Sequence, residues 1–321
     1  MTSFTDLSKR MKEYEERNRM YLQRRIPVLI RVDMRAGHTF LRGFATPFDD
    51  VFMKSMQETA KYLCENIQNC KLSYQQSDEI TLLLVDYDKL NTDCFFDYRV
   101  DKLCSIAASM ATMAFNRAFA SNVYLEKCNW DEVVHHWYKG FYFDDDLTDK
   151  EKKEIIDKNN KEFNNGYPQL EYHTIAVDKG AMFDARCFNI PKEEVTNNFY
   201  WRQLDASRNS IQMVGHANFS HKELQNKSSN DIQDMLMTQK GINWNDLPTY
   251  QKRGSCCIKH EFWIDKNDGC EFSKEYSEAL DKSAVDENAI KKSEWIIDTE
   301  IPIFKGDGRN YIDKFVYVGQ E

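Results

Sequence analysis

The sequence predicts an α+β fold: an antiparallel sheet on the ferredoxin-like, split βαβ plan, with helices on one face. Three observations carry this. Short β-rich apolar runs at 27–33 and 80–85 each adjoin acids, at Asp33 and at Asp78-Glu79. A third run, Cys70-Lys71-Leu72-Ser73-Tyr74, precedes the second of these as its hairpin partner. Segments with helical apolar spacing at 48–69 and 99–121 then give the order strand, helix, strand, strand, helix.

Taken in order, residues 4–25 read as a charged helix whose apolar stripe is Phe4, Leu7, Met11, Tyr14 and Tyr21-Leu22. After the first strand, Pro47 and Asp49-Asp50 mark the start of the helix at 48–69. The helix at 99–121 is rich in small residues (Ala107, Ala108, Ser109, Ala111, Ala114), which suits close packing on a sheet. Residues 144–167 change texture to Asp144-Asp145-Asp146, mixed Lys and Glu, and paired asparagines, the mark of a charged surface insertion. Strands are expected at 174–177 and at 181–190, the latter a candidate for the missing sheet strand. A polar, aromatic helical region follows Pro191. Another helix is expected at 220–240, then a turn-rich stretch at 241–248 and a strand after Lys252-Arg253-Gly254. The domain reading is a catalytic unit over 1–260 and a C-terminal extension over 261–321.

Composition bounds the function. With 321 residues, 41% hydrophobic and 30% charged, the chain can bury one large core or two. No apolar run approaches a membrane span, and the polar N-terminus has no secretory pattern. Nine cysteines without CxxC spacing imply reduced thiols in a cytoplasmic protein. The net charge of −9 argues against non-specific coating of nucleic acid and leaves room for a local basic groove. His135, His136 and His173 have no acid or Cys at ligand spacing and read as structural or surface residues; Trp137, Tyr138, Phe141, Tyr142 and Phe143 read as core or subunit contacts.

Asp33 and Asp78 are the candidate chemistry. Either acid alone is the ordinary turn residue or helix cap of a strand end. Together, the two layouts can bring both carboxylates to one end of neighbouring strands. Carboxylates there need water, a cation or a metal, and two beside basic groups suit Mg2+, which takes carboxylates, waters and phosphate oxygens.

Several segments, in order, resemble the tRNA-His guanylyltransferase family and its 3′–5′ polymerase relatives. Arg31-Val32-Asp33-Met34-Arg35-Ala36-Gly37-His38 is similar to the family's Asp-Gly-Arg-x-Phe-His motif, and Tyr74-Gln75-Gln76-Ser77-Asp78-Glu79 to its Tyr-Gly-Gln-Ser-Asp-Glu motif. Phe183-Asp184-Ala185-Arg186, Trp201-Arg202-Gln203-Leu204-Asp205, Asn243-Trp244-Asn245-Asp246-Leu247-Pro248 and Lys252-Arg253-Gly254 resemble further blocks. The resemblance implies a polymerase/cyclase-like palm. It implies two Mg2+ ions held by Asp33, the Met34 backbone carbonyl and Asp78, with Glu79 a supporting acid. Arg35, Ala36, Gly37, His38 and Ser77 would bind nucleotide phosphates. ATP and GTP would be substrates, tRNA the acceptor and a homotetramer the assembly. The chain departs from the family at Met34 (Gly there), at Gly37 (Phe there) and at Ala206-Ser207-Arg208-Asn209-Ser210-Ile211-Gln212, where eukaryotic members carry His-Ile-Asn-Asn-Leu-Tyr-Asn. The last difference favours 3′–5′ nucleotide addition to tRNA or tRNA-like RNA over strict guanylylation of tRNA-His.

Two other readings share the acids: a palm-fold nucleotide cyclase or signalling-nucleotide synthase, and a non-catalytic RNA-binding relative. The blocks at 183–186 and 241–254 weigh against the first. The joint presence of Asp33 and Asp78 weighs against the second.

Overall fold

The computed structural model describes residues 4–143, 153, 169–281 and 286–319. The insertion at 144–167 lies, but for residue 153, outside the described residues, as do the side chains of 130–143 and hence the His135-His136 and 137–143 readings.

The chain begins with α1 (Phe4–Glu16), β1 (Val28–Met34), the single turn α2 (Gly37–Phe40), α3 (Asp50–Asn66) and the hairpin β2 (Cys70–Gln76) and β3 (Glu79–Leu84). Then come α4 (Val100–Phe143), α5 (169–179), β4 (Phe183–Asn189) and α6 (Lys192–Asn218). Short helices α7 (His221–Leu224), α8 (Ser229–Met235) and α9 (Thr249–Arg253) lead to β5 (Ser255–Asp265), α10 (Lys274–Asp281), β6 (Ala289–Asp298) and α11 (Asn310–Val316). The sheet order is β4-β1-β3-β2-β5-β6, with every pairing antiparallel. The first four strands are the split βαβ order, with β4 as its last strand; β5 and β6 widen the sheet beyond β2.

Alternation along the strands makes two cores. Val28, Ile30, Val32 and Met34 of β1 and Ile80, Leu82 and Leu84 of β3 face α3 and α4. Leu29, Leu72, Tyr74 and Leu83 face the other way, onto Phe199 of α6 and Phe304, Ile312 and Val316 near the C-terminus. The two palm helices thus lie on one face, and the extensions cover much of the other.

Four expectations change. The first helix stops at Glu16, because Leu22 N–H donates to the Tyr98 carbonyl and Val100 N–H to that of Met20, docking the following segment against the start of α4. The helix at 99–121 runs on to Phe143, with no proline and no glycine before Gly140 to stop it. The strand expected at 174–177 is part of α5, whose buried Leu170, His173 and Ala176 recur at helical spacing. The helix at 220–240 is interrupted after Leu224 and restarts at Ser228, where a second capping box with Asp231 follows that of Ser220 and Glu223. The 260/261 division falls inside β5.

Candidate active site

The face of the sheet that carries α6 is organised in rows across four strands. Phe188, Leu29, Leu83 and Leu72 form an apolar row. Arg186, Arg31, Thr81 and Tyr74 form the next, and Asp184, Asp33, Glu79 and Gln76 the last. Charge therefore collects at one end of the sheet, where the two-residue turn Ser77-Asp78 joins β2 to β3.

Asp33 and Asp78 come together there. Met34 N–H donates to the Asp78 carbonyl at 3.1 Å, which ties the turn to the end of β1. The Asp33 carboxyl is raised to about 6, first by desolvation and then by the charges of Asp78, Glu79 and Asp184, with Arg186 opposing. Gly37 makes room for Asp78: a Cβ at position 37 would sit 2.0 Å from Asp78 Oδ2. The family's Phe at this position is replaced here by glycine, and the aspartate occupies the space. Met34 needs no left-handed backbone, and its side chain is buried in the core on the α3/α4 side.

Glu79 stands beside Asp33 across the strand pair. It is buried and held bidentately by Arg202 of α6, with Nε at 2.7 Å and Nη2 at 3.0 Å, while Arg31 Nε stands 3.8 Å away. Its charge is already matched inside the protein, so it anchors α6 to the sheet. Among the described residues no cluster of three His, Cys or acidic side chains has metal-holding geometry.

A cleft of about 500 Å³ opens beside the turn. Ser77, Asp78 and His38 line one side, the loop from Leu41 to Asp49 another, and Ala206, Asn209, Ser210 and Met213 of α6 with Arg253 and Gly254 close it. Its size is that of a small-ligand site. Ser77 and Ala36 both have left-handed backbones, with φ 49 and 56. Arg35 and Ala36 are exposed and outside the cleft lining, Arg35 N–H being spent on the Met182 carbonyl. Gly254 is required for close approach: it has φ 83, and a Cβ would meet the Gln75 carbonyl oxygen at 2.4 Å.

The cleft loop is fixed by a buried charge pair. Asp49 caps α3, accepting from Phe52 N–H at 2.9 Å and Ala45 N–H at 3.0 Å, and meets His173 Nε2 at 2.8 Å. His173 Nδ1 meets Glu126 at 2.7 Å. Burial opposes charge on this imidazole, yet the two carboxylates raise it to about 9. Burial would likewise raise the Asp49 carboxyl, but the bonds from His173 and the two backbone amides hold it below its ordinary value. The structural reading of His173 agrees with this arrangement.

Sequence reasoning missed Asp184, Arg186 and Arg202 as partners of the acids, and the cleft wall at 206–213. The signal for the first two was available: Asp184 and Arg186 share a parity, as do Arg31 and Asp33 in the neighbouring strand.

A 4-1-3-2 antiparallel sheet with helices on one face, and two aspartates at adjacent strand ends beside a small-ligand cleft, is a polymerase/cyclase-like palm. The family model described as tRNAHis guanylyltransferase matches residues 8–191. A bacterial tRNA(His) guanylyltransferase-like protein solved in complex with ATP is 36% identical, with TM-score 0.66, over 97% of this chain and 99% of that one. Such a protein in complex with GTP is 33% identical, with TM-score 0.65 and the same coverage. The tRNA(His) guanylyltransferase of Saccharomyces cerevisiae is 25% identical over 242 residues, 71% of this chain and 80% of its own. The chain belongs to the tRNAHis guanylyltransferase family and is a nucleotidyltransferase.

Proposed function

We propose that this protein adds nucleotides to the 5′ end of tRNA in the 3′–5′ direction, in a Mg2+-dependent reaction that uses ATP and GTP. The observation that carries the reading is the convergence of Asp33 and Asp78 beside the cleft. Solved relatives described as ATP and GTP complexes support nucleotides as its occupants.

The residues fit Mg2+. Asp33 is crowded by like charge and partly desolvated, a strain that a divalent cation relieves. A donor set of two carboxylates and the Met34 carbonyl leaves positions for water and phosphate, as a hard cation prefers. Two bound ions would neutralise charge developing on the transferred phosphoryl group. The chain's own residues orient the reactants. Ser77, His38 and the backbone N–H groups opening α2, at Gly37 and His38, are the phosphate donors, with Arg35 the nearby cation. The loop fixed by Asp49 and His173 forms the wall. Positioning and charge neutralisation are the main contributions in phosphoryl transfer, which accounts for a site without a nucleophile–base pair. Residues 1–260 carry the chemistry and 261–321 support the sheet. A cytoplasmic homotetramer is the assembly, which sizing with light scattering checks.

The test uses 5′-monophosphorylated and 5′-triphosphorylated tRNAs, intact or lacking the first nucleotide, with Mg2+ and labelled NTPs. Templated growth of the truncated tRNA is expected. Asp33→Ala and Asp78→Ala should each lower the rate about a thousandfold, the scale of several kcal/mol of lost charge stabilisation. Extension of intact tRNA-His alone, by one G, would make the protein a guanylyltransferase in the strict sense. NTP consumed into a small cyclic product without RNA growth would replace the proposal with the cyclase reading.

A further inference from the structure

Outside the cleft lining lies a second surface, on α6 and the strands beneath it. Trp201 of α6 is 53% exposed, although it stands over the charged rows of the sheet. Its ring is held by two cations: the Arg202 guanidinium carbon is 4.8 Å from the ring centroid and that of Arg31 5.9 Å. Arg202 is itself fixed to Glu79, so the indole is carried on a rigid, charge-locked support. Arg186, cross-strand neighbour of Arg31, is half exposed and pairs with Asp184 at 3.4 Å. Leu204, three residues on from Trp201, is 51% exposed. None of Trp201, Arg31, Asp33 and Arg186 lines the cleft.

Transfer between two phosphate-bearing molecules needs two binding surfaces that meet at the reacting phosphorus. The cleft is concave and holds one nucleotide. The ledge is open to solvent at Trp201 and Arg186, while Arg31 is only 18% exposed; an open ledge is what a polynucleotide end requires, because the rest of the strand must leave the site. A fixed aromatic face takes any base by stacking, and a guanidinium beside it takes the phosphate. We propose that Trp201 is the stacking platform for the 5′-terminal base of the acceptor RNA, with Arg186 directed to its phosphate and Arg31 supporting the indole from below. The proposal deepens the nucleotidyl-transfer reading and rests on it for the identity of the acceptor.

The test uses an RNA hairpin with one unpaired 5′ nucleotide, 2-aminopurine 5′-monophosphate, and the full-length protein. Wild-type protein should quench the 2-aminopurine. Trp201→Ala should abolish the quenching and raise KM for RNA about tenfold, the scale of one lost base stack, with KM for NTP unchanged. Trp201→Phe should keep most of both. Arg186→Ala, an exposed change that leaves the core intact, should weaken RNA binding and flatten its salt dependence. Melting curves establish that each variant is folded. Unaltered quenching in Trp201→Ala, or a rise in KM for NTP in place of RNA, overturns the platform. Extension of RNA by wild type without quenching does so too, and leaves the nucleotidyl-transfer reading standing. Trp201-dependent quenching without extension keeps the platform and removes that reading. Failure to bind the hairpin at all removes both.

Discussion

Glu79 and His173 are both buried and both held in ion pairs. Replacing Glu79 with Gln removes one of the two carboxylates paired with the buried Arg202 guanidinium, the other being Asp205 at 3.2 Å, and loosens α6 on the sheet. A loss of roughly 3–5 kcal/mol is expected for breaking a buried pair from one side, measured by urea denaturation. His173 carries a pH signature. Its folded value of about 9 lies above the ordinary 6.5. Its contribution to stability is therefore full below about pH 6.5 and is lost as pH rises through about 9. Urea midpoints should fall across that window in the wild type, and the fall should be much smaller in His173→Gln. An unchanged slope in the variant would show that another group titrates. The site acids were readable as residues because acids at both strand ends are unusual in pairs. The role of Glu79 was not, because Arg202 lies 123 positions away in sequence and only the packing of α6 brings it in.

At the scale of elements, the turn Ser77-Asp78 and the turn at α2 must mesh. Gly37→Ala places a Cβ 2.0 Å from Asp78 Oδ2, so the aspartate has to swing away. We expect activity to fall at least tenfold while the melting temperature moves little, since the aspartate side chain can move where a backbone atom could not. Wild-type activity in that variant would mean that the Asp78 carboxylate does not work from this position. Gly254→Ala is a different case. Its Cβ would strike the Gln75 carbonyl oxygen at 2.4 Å from a backbone with φ 83. That strains the junction of α9 and β5, and a drop in stability of a few kcal/mol is expected, roughly the sum of a left-handed penalty and a displaced strand. Strands β1 to β4 were legible as short β-rich runs, and helix α3 from its helical apolar spacing and its Pro47 and Asp49-Asp50 start. α5 was misread because Thr174-Ile175-Ala176-Val177 has strand composition, while its burial follows a helical period set by packing against α4.

For the whole molecule, the C-terminal segment completes the second core. Ile301, Phe304, Ile312 and Val316 are fully buried against Leu29, Leu72 and Tyr74. Burial of four such side chains is worth roughly 6–12 kcal/mol, comparable with the stability of a whole domain. A chain ending at residue 300 should therefore lose its cooperative melting transition; a normal transition in that chain would make the segment an appendage. The sequence by itself determined the α+β class, the order of the first four strands, the two aspartates and the family, because alternation, helical spacing and short motifs are local properties of the chain. Only the tertiary structure decided that Glu79 is paired with Arg202, that α6 both walls the cleft and carries Trp201 outside its lining, and that residues beyond 300 belong to the core. Those facts depend on which distant side chains meet across the sheet, and pairing over a hundred residues leaves no periodic trace in the sequence.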